Sequence, residues 1–314
     1  MMKTLNLGGF VMTAPSPFRS TPVAAVTGGT GFLGQAVVRR LRAEGWRVRV
    51  LARRAVDGAL DVVPGAPDDQ DALRRLLTGA SLVVHVADPV AEPDVAGAAH
   101  IGTALRRSAR GARLLVVSCL AARDPKISAY AGRSAEAETA LIDAAGGDDW
   151  LVLRLAAIYG PGDSAILPLF RAARLPVLPI PARSRARLAL LHVDDAVRAV
   201  LAAAHSTDRG RVWEVGEGAA GWAEIARAAA RALGREPPVL PVPRPILAAA
   251  LGLARLGGGK RVPAAAPGRL AELLHGDWSC RPDLLPPSGQ WSPSIALAAG
   301  FAMTADWYRL HRWL

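Results

Sequence analysis

The sequence predicts an α/β fold: a doubly wound parallel sheet with a smaller C-terminal substrate lobe. Two observations carry the prediction. Short apolar runs alternate with segments of helical periodicity from Val23 to Leu155. Between the first run and the first helical segment lies a glycine loop, Thr27-Gly28-Gly29-Thr30-Gly31-Phe32-Leu33-Gly34.

Taken in order, residues 23–26 form a short apolar strand that ends in the loop. Residues 35–44 carry apolar positions at helical spacing, stopped by Gly45. Residues 47–51 alternate arginine with valine and leucine, as a strand with one polar face does. A helix over 69–77 is closed by Thr78-Gly79, and 81–86 is the continuous apolar run expected of a strand buried on both faces. A helix over 95–110, a strand over 113–117, a helix over 134–145 and a strand over 150–155 continue the alternation. After Tyr159-Gly160-Pro161-Gly162 the alternation fades, proline becomes frequent, and six of the eight tryptophans lie at or beyond Trp213. Helices are still expected over 194–205 and 222–233. The chain thus divides into a disordered arm (1–21), a dinucleotide-binding domain of Rossmann type (22–160) and a substrate-binding lobe (161–314) that partly returns to the main sheet.

Composition narrows the class. With 51% hydrophobic and 21% charged residues the chain can build a full core. No apolar run approaches the length of a membrane span. Cys119 and Cys280, the two cysteines, cannot build a disulfide framework, which points to a reducing compartment. The net charge of +11 comes almost wholly from arginine scattered among alanine, leucine and glycine, with no basic stripe interleaved with aromatics. It reads as a solvated basic surface, and nucleic acid is not an expected partner. The first twenty residues lack a signal-peptide pattern, so a cytoplasmic location is expected.

Gly29-x-Gly31-x-x-Gly34 fits the dinucleotide fingerprint, and Gly28-x-x-Gly31-x-x-Gly34 fits the spacing used by short-chain dehydrogenases. Glycine is needed because a side chain would hold the backbone away from the pyrophosphate, and the helix that starts near Phe32 turns its free N–H groups towards that anion. The candidate cofactor residues are Gly28, Gly29, Thr30, Gly31, Phe32, Leu33 and Gly34, with Val86 and Ala87 after the next strand. An NAD-preferring site ends its second strand on an acidic residue, whereas here the strand runs into Leu51-Ala52-Arg53-Arg54. Guanidinium groups suit a 2′-phosphate. Arg53 and Arg54 therefore favour NADP(H), with NAD(H) the alternative.

Further motifs resemble the extended and atypical short-chain dehydrogenase/reductases. His85-Val86-Ala87 resembles their H-x-A step and Val117-Ser118-Cys119-Leu120 their serine-bearing strand end. Tyr130-Ala131-Gly132-Arg133-Ser134 resembles their Y-x-x-x-K helix. Residues 153–163 and Leu191-His192-Val193-Asp194-Asp195 match two more signatures, and Asp306-Trp307-Tyr308 in a last helix is also similar. The resemblance covers about residues 22–314. It implies that Tyr130 exchanges a proton with the substrate oxygen and also borders the cofactor, that a hydroxyl at Ser118 or a thiol at Cys119 binds that oxygen, and that two helices form a homodimer. The lysine of the motif falls on Ser134. Arg133, at i+3, is the nearest cation, an electrostatic substitute that cannot shuttle protons. His85 and His192 are expected to be structural, and Asp194 and Asp195 to cap the following helix.

Before His192 the sequence reads Ala186-Arg187-Leu188-Ala189-Leu190-Leu191, unlike the Q-R-D-F-type segment of nucleotide-sugar enzymes. It is closer to 3β-hydroxysteroid dehydrogenases, lipid ketoreductases and the complex I accessory subunit. An apolar segment at 245–256, flanked by Arg244, Lys260 and Arg261, reads as a plain core helix, or as a lid or an interfacial helix making peripheral contact at the inner membrane face. Three functions stay open. One is an NAD(P)(H)-dependent oxidoreductase for the ketone or alcohol of a hydrophobic substrate, of the β-keto sphingoid or ceramide type. Another is a nucleotide-sugar epimerase or dehydratase, its diphosphate clamped by Arg171, Arg174, Arg183, Arg185 and Arg187. The last is a non-catalytic protein that keeps the dinucleotide as a ligand.

Overall fold

The structure, a computed structural model, describes residues 21–53, 61–86, 94–182, 186–243, 245–246 and 275–314. Arg54, Ala87, Arg183, Arg185 and most of the 244–261 segment lie outside the described residues, as does nearly all of the N-terminal arm.

The strands are β1 (Val23–Thr27), β2 (Arg47–Ala52), β3 (Asp61–Pro64), β4 (Leu82–Val86), β5 (Arg113–Cys119), β6 (Trp150–Leu155), β7 (Ala157–Tyr159), β8 (Leu178–Pro181), β9 (Arg187–His192), β10 (Arg211–Val215), β11 (Glu217–Ala220), β12 (Val239–Val242) and β13 (Asp277–Trp278). The helices are α1 (Phe32–Ala43), α2 (Gln70–Leu77), α3 (Val95–Ser108), α4 (Ala129–Ala145), α5 (Leu167–Ala172), α6 (Val193–His205), α7 (Trp222–Ala232) and α8 (Leu297–Leu310). The main sheet is seven-stranded and parallel, in the order β10-β6-β5-β4-β1-β2-β3.

Both faces of this sheet are buried, and alternation along each strand divides the side chains between two cores. In β5, Leu115 and Val117 join α1 and α6 on one face, while Leu114 and Val116 join α2, α3 and α4 on the other. This explains why these strands read as continuous apolar runs. The second half adds a four-stranded sheet, in which β9 pairs with β7, β11 and β13, and a two-stranded sheet of β8 and β12. Its own core packs Tyr159, Phe170, Phe301 and Tyr308 edge-to-face or tilted, at ring separations of 5.0–5.3 Å. Among the described residues no helix is long and apolar enough to cross a membrane.

Three local expectations are corrected. Helix α4 begins at Ala129 rather than 134, because Ser128 Oγ accepts the Ala131 N–H at 3.0 Å and caps it there. Tyr130 therefore sits in its first turn. Strand β5 continues to Cys119, held by pairing of Ser118 and Cys119 with Arg154 and Leu155 of β6. The cap of α6 is His192, whose Nδ1 accepts the Asp194 N–H. Asp195 instead points inward and accepts the backbone N–H groups of Ser294 and Ile295, 2.9 and 3.0 Å away.

Candidate active site

The carboxyl ends of the parallel strands gather the predicted residues at one edge of the sheet. The glycine loop follows β1, and each glycine there answers to a different constraint. Gly28 has φ +70° and a Cβ on it would stand 2.1 Å from the Val86 carbonyl oxygen. Gly29 packs under Val50, and a Cβ on Gly34 would lie 2.0 Å from the Gly28 oxygen. Gly31 differs: its φ of −75° suits any residue, and the nearest atom to an added Cβ is the Gly28 oxygen at 3.5 Å. Nothing in the fold requires glycine at position 31.

A side chain there would occupy the space in front of the α1 N-terminus. That terminus has no side-chain cap and no acidic residue in its first turn, whereas α2, α3 and α4 are capped by Asp69, Asp94 and Ser128. An open cradle at a helix N-terminus fits a pyrophosphate. Thr30 rims it, exposed, while Phe32 is half-buried and Leu33 is buried in the sheet's core.

Beside the loop, β2 carries two arginines, and Arg53 follows it directly. Arg47 pairs with Asp61 at 3.1 Å and Arg49 donates to the Thr78 carbonyl, but Arg53, at the carboxyl end, is exposed. Val86 is buried against Gly28. His85 and Thr27 share a hydrogen bond of 2.8 Å between Nδ1 and Oγ1. Burial pushes the His85 pKa down to about 4, against the opposing pull of Asp94, so the ring is neutral.

Tyr130, Ser134 and Cys119 come together. Ser134 is buried at the i+4 position of α4, where its Oγ donates to the Tyr130 carbonyl at 2.8 Å. The Cys119 thiol, 3.8 Å away, donates to that same Oγ. Tyr130 also hydrogen-bonds Cys119, whose pKa burial raises despite these contacts. Of the two strand-end candidates, Cys119 therefore faces Tyr130, while Ser118 stands in register beside Arg154. Arg133 is exposed on the helix.

Two buried ion pairs missed in the sequence support this edge. Glu138, two turns after Tyr130 on the same helix face, takes Arg154 in a two-pronged pair with a shortest contact of 2.7 Å. The i, i+4, i+8 spacing of Tyr130, Ser134 and Glu138 was the available signal. Arg123, just beyond β5, pairs with the fully buried Glu214 of β10 at 2.9 Å, and nothing local could have shown that. In the proposed diphosphate clamp, Arg187 is turned to the Ala219 carbonyl, while Arg171 and Arg174 are exposed around the end of α5.

The family model for NAD dependent epimerases and dehydratases matches residues 24–137 and 118–216. A ceramide reductase of Caulobacter vibrioides is 37% identical over 309 residues, which cover 93% of this chain and 96% of that protein. A 3-diazoavenalumate denitrifying reductase of a Streptomyces species is 32% identical over 255 residues, covering 68% of this chain and 82% of that one. Among solved structures, the UDP-glucose 4-epimerase of Thermotoga maritima with UDP-glucose is similar in fold, with a TM-score of 0.66 at 20% identity over 92% of this chain and 99% of that one. With its Rossmann-type parallel sheet, the chain belongs to the NAD-dependent epimerase/dehydratase family.

Proposed function

We propose that this chain is an NADP(H)-dependent reductase or dehydrogenase for the ketone or alcohol of a hydrophobic, lipid-like substrate, of the β-keto sphingoid or ceramide type. The observation that carries the substrate class is the similarity to a ceramide reductase, 37% identical over 93% of this chain. Of the described arginines in the diphosphate clamp, Arg187 is held by the Ala219 carbonyl, whereas Arg171 and Arg174 are exposed. A nucleotide diphosphate needs cations that can turn towards it, and Arg187 cannot without breaking its bond to Ala219. Arg53, exposed beside the glycine loop, supports the choice of NADP(H) over NAD(H).

When bound, the reduced cofactor supplies a hydride for the carbonyl carbon. Gly31 and the α1 N-terminus would hold its pyrophosphate. Tyr130 gives its phenolic proton to the carbonyl oxygen, and Cys119 orients both by its contact with Tyr130. Ser134 fixes the first turn of α4 by bonding the Tyr130 carbonyl. Arg133 supplies positive charge near the helix start in place of the lysine. The described residues beyond 161, apart from α6 and β10, which belong to the main sheet, form the lobe that covers the substrate.

The test is NADPH oxidation with a panel of β-keto lipids, for the natural chain and for Tyr130→Phe. Loss of at least 100-fold in kcat, with NADPH affinity retained, is expected of a proton donor. Unchanged turnover in Tyr130→Phe removes that residue from the mechanism. Copurification of a UDP- or dTDP-sugar, with no keto-lipid turned over, favours the epimerase or dehydratase alternative.

A further inference from the structure

Arg123 lies in the short 3-10 turn Leu120–Arg123, directly after Cys119 and before the loop that leads to Tyr130. Its side chain is nearly buried, and both terminal nitrogens of its guanidinium have partners. Nη1 donates to Glu214 Oε2 at 2.9 Å and to the Ser279 carbonyl at 2.7 Å, and Nη2 donates to the Asp277 carbonyl at 2.7 Å. The group also lies over the Trp278 ring, 5.4 Å from its centroid. Glu214 Oε2 accepts the Arg281 N–H as well, at 2.8 Å.

The partners thus span residues 277–281, a segment more than 150 positions away in sequence. It crosses the carboxyl ends of β10 and β6, because Cys280 packs where they finish. A Cβ on Gly216 would meet the Cys280 sulfur at 2.9 Å and the Ala156 Cβ at 3.0 Å. In an open parallel sheet, ligands bind beyond these strand ends. A buried arginine–carboxylate pair is an inefficient source of stability, since apolar residues of equal volume often do as well. What the pair supplies here is a fixed geometry between two remote segments.

We propose that Arg123 is a positioning residue: it clasps the 277–281 strap to the turn between Cys119 and Tyr130, and so places Cys280 as the wall of the substrate site on its β6/β10 side. The clasp follows from the contacts alone, whereas the wall's effect on substrate rests on the reductase reading above.

Two measurements on the full chain separate these. The first is the rate at which N-ethylmaleimide modifies Cys280, followed by peptide mass spectrometry, which needs no substrate. Arg123→Met keeps the apolar stem and removes the donors; modification of Cys280 is expected to speed at least tenfold over the natural chain. The second is steady-state reduction of a β-keto lipid. In Arg123→Met, KM is expected to rise at least tenfold, with kcat within threefold and NADPH affinity unchanged. If Arg123→Met fails to fold, Glu214→Gln, which keeps the shape and loses the charge, is expected to move both quantities in the same direction by a smaller factor.

Unchanged Cys280 reactivity in a folded variant overturns the clasp. Faster modification with an unchanged KM overturns the placement of Cys280 at the substrate. If the natural chain reduces no β-keto lipid, the reductase reading fails while the thiol measurement still decides the clasp.

Discussion

Replacing Gly31 by alanine separates cofactor binding from folding, because the fold places no demand on that glycine. The added methyl meets nothing closer than 3.5 Å, and φ at −75° is open to alanine. At the cap of α1 alanine is worse than glycine by up to about 1 kcal/mol. Loss of the glycine's freedom in the unfolded chain offsets this by about 0.4–1 kcal/mol. The net change in stability is expected to stay within about 0.5 kcal/mol.

Binding fares differently. A methyl in front of the helix N-terminus keeps the pyrophosphate from closing on the backbone N–H groups. Losing two charge-assisted hydrogen bonds of about 1.5 kcal/mol each weakens binding by about 3 kcal/mol, roughly 100-fold in Kd. The opposite holds at Gly34, where the methyl would lie 2.0 Å from the Gly28 oxygen and 2.8 Å from its carbonyl carbon, both backbone atoms. Gly34→Ala is expected to destabilise the fold by about 3 kcal/mol. Urea unfolding and NADPH fluorescence titration on the two variants decide the matter. A stably folded Gly31→Ala that binds NADPH within threefold of the natural affinity would refute the cradle.

Cys119→Ser keeps a donor against Tyr130 and Ser134, so kcat/KM with a reduced substrate is expected to stay within threefold, whereas Cys119→Val is expected to lose at least tenfold; equal activity in both would show that the thiol orients nothing. Asp195 is buried and its carboxylate accepts from Arg198, Ser294 and Ile295, bonds that outweigh burial and hold its pKa below the usual carboxylate range. Asp195→Asn turns an amide donor towards those donors and should cost about 3 kcal/mol in urea unfolding, with a loss under 1 kcal/mol counting against the staple. His85, neutral with a folded pKa of about 4 against 6.5 for the free side chain, contributes stability that is complete above pH 6.5. That contribution falls as pH drops towards 4, by no more than about 3 kcal/mol. Unfolding midpoints at pH 7.5 and pH 5 should therefore converge between the natural chain and His85→Gln as pH falls, and parallel curves would assign the loss to other groups.

The sequence by itself determined the sheet-and-helix frame and the cofactor loop, because both are written in neighbouring residues. Apolar runs mark strands buried on both faces, helical spacing marks the covering helices, and the glycines sit within a few positions of the strand and helix they join. Strand β3, a four-residue Asp-Val-Val-Pro run, and β13, two residues long, carry too little pattern to be seen, and only their pairing with β2 and β9 makes them strands. The site divides the same way. Tyr130 and Ser134 were legible as a spaced pair on one helix, but the choice between Ser118 and Cys119 awaited the course of β5 against α4. Arg123 and Asp195 found their partners far along the chain, Arg123 at 214 and 277–279, Asp195 at 294–295. A buried charge takes whichever donor or acceptor packing brings to it, and local sequence does not encode that meeting.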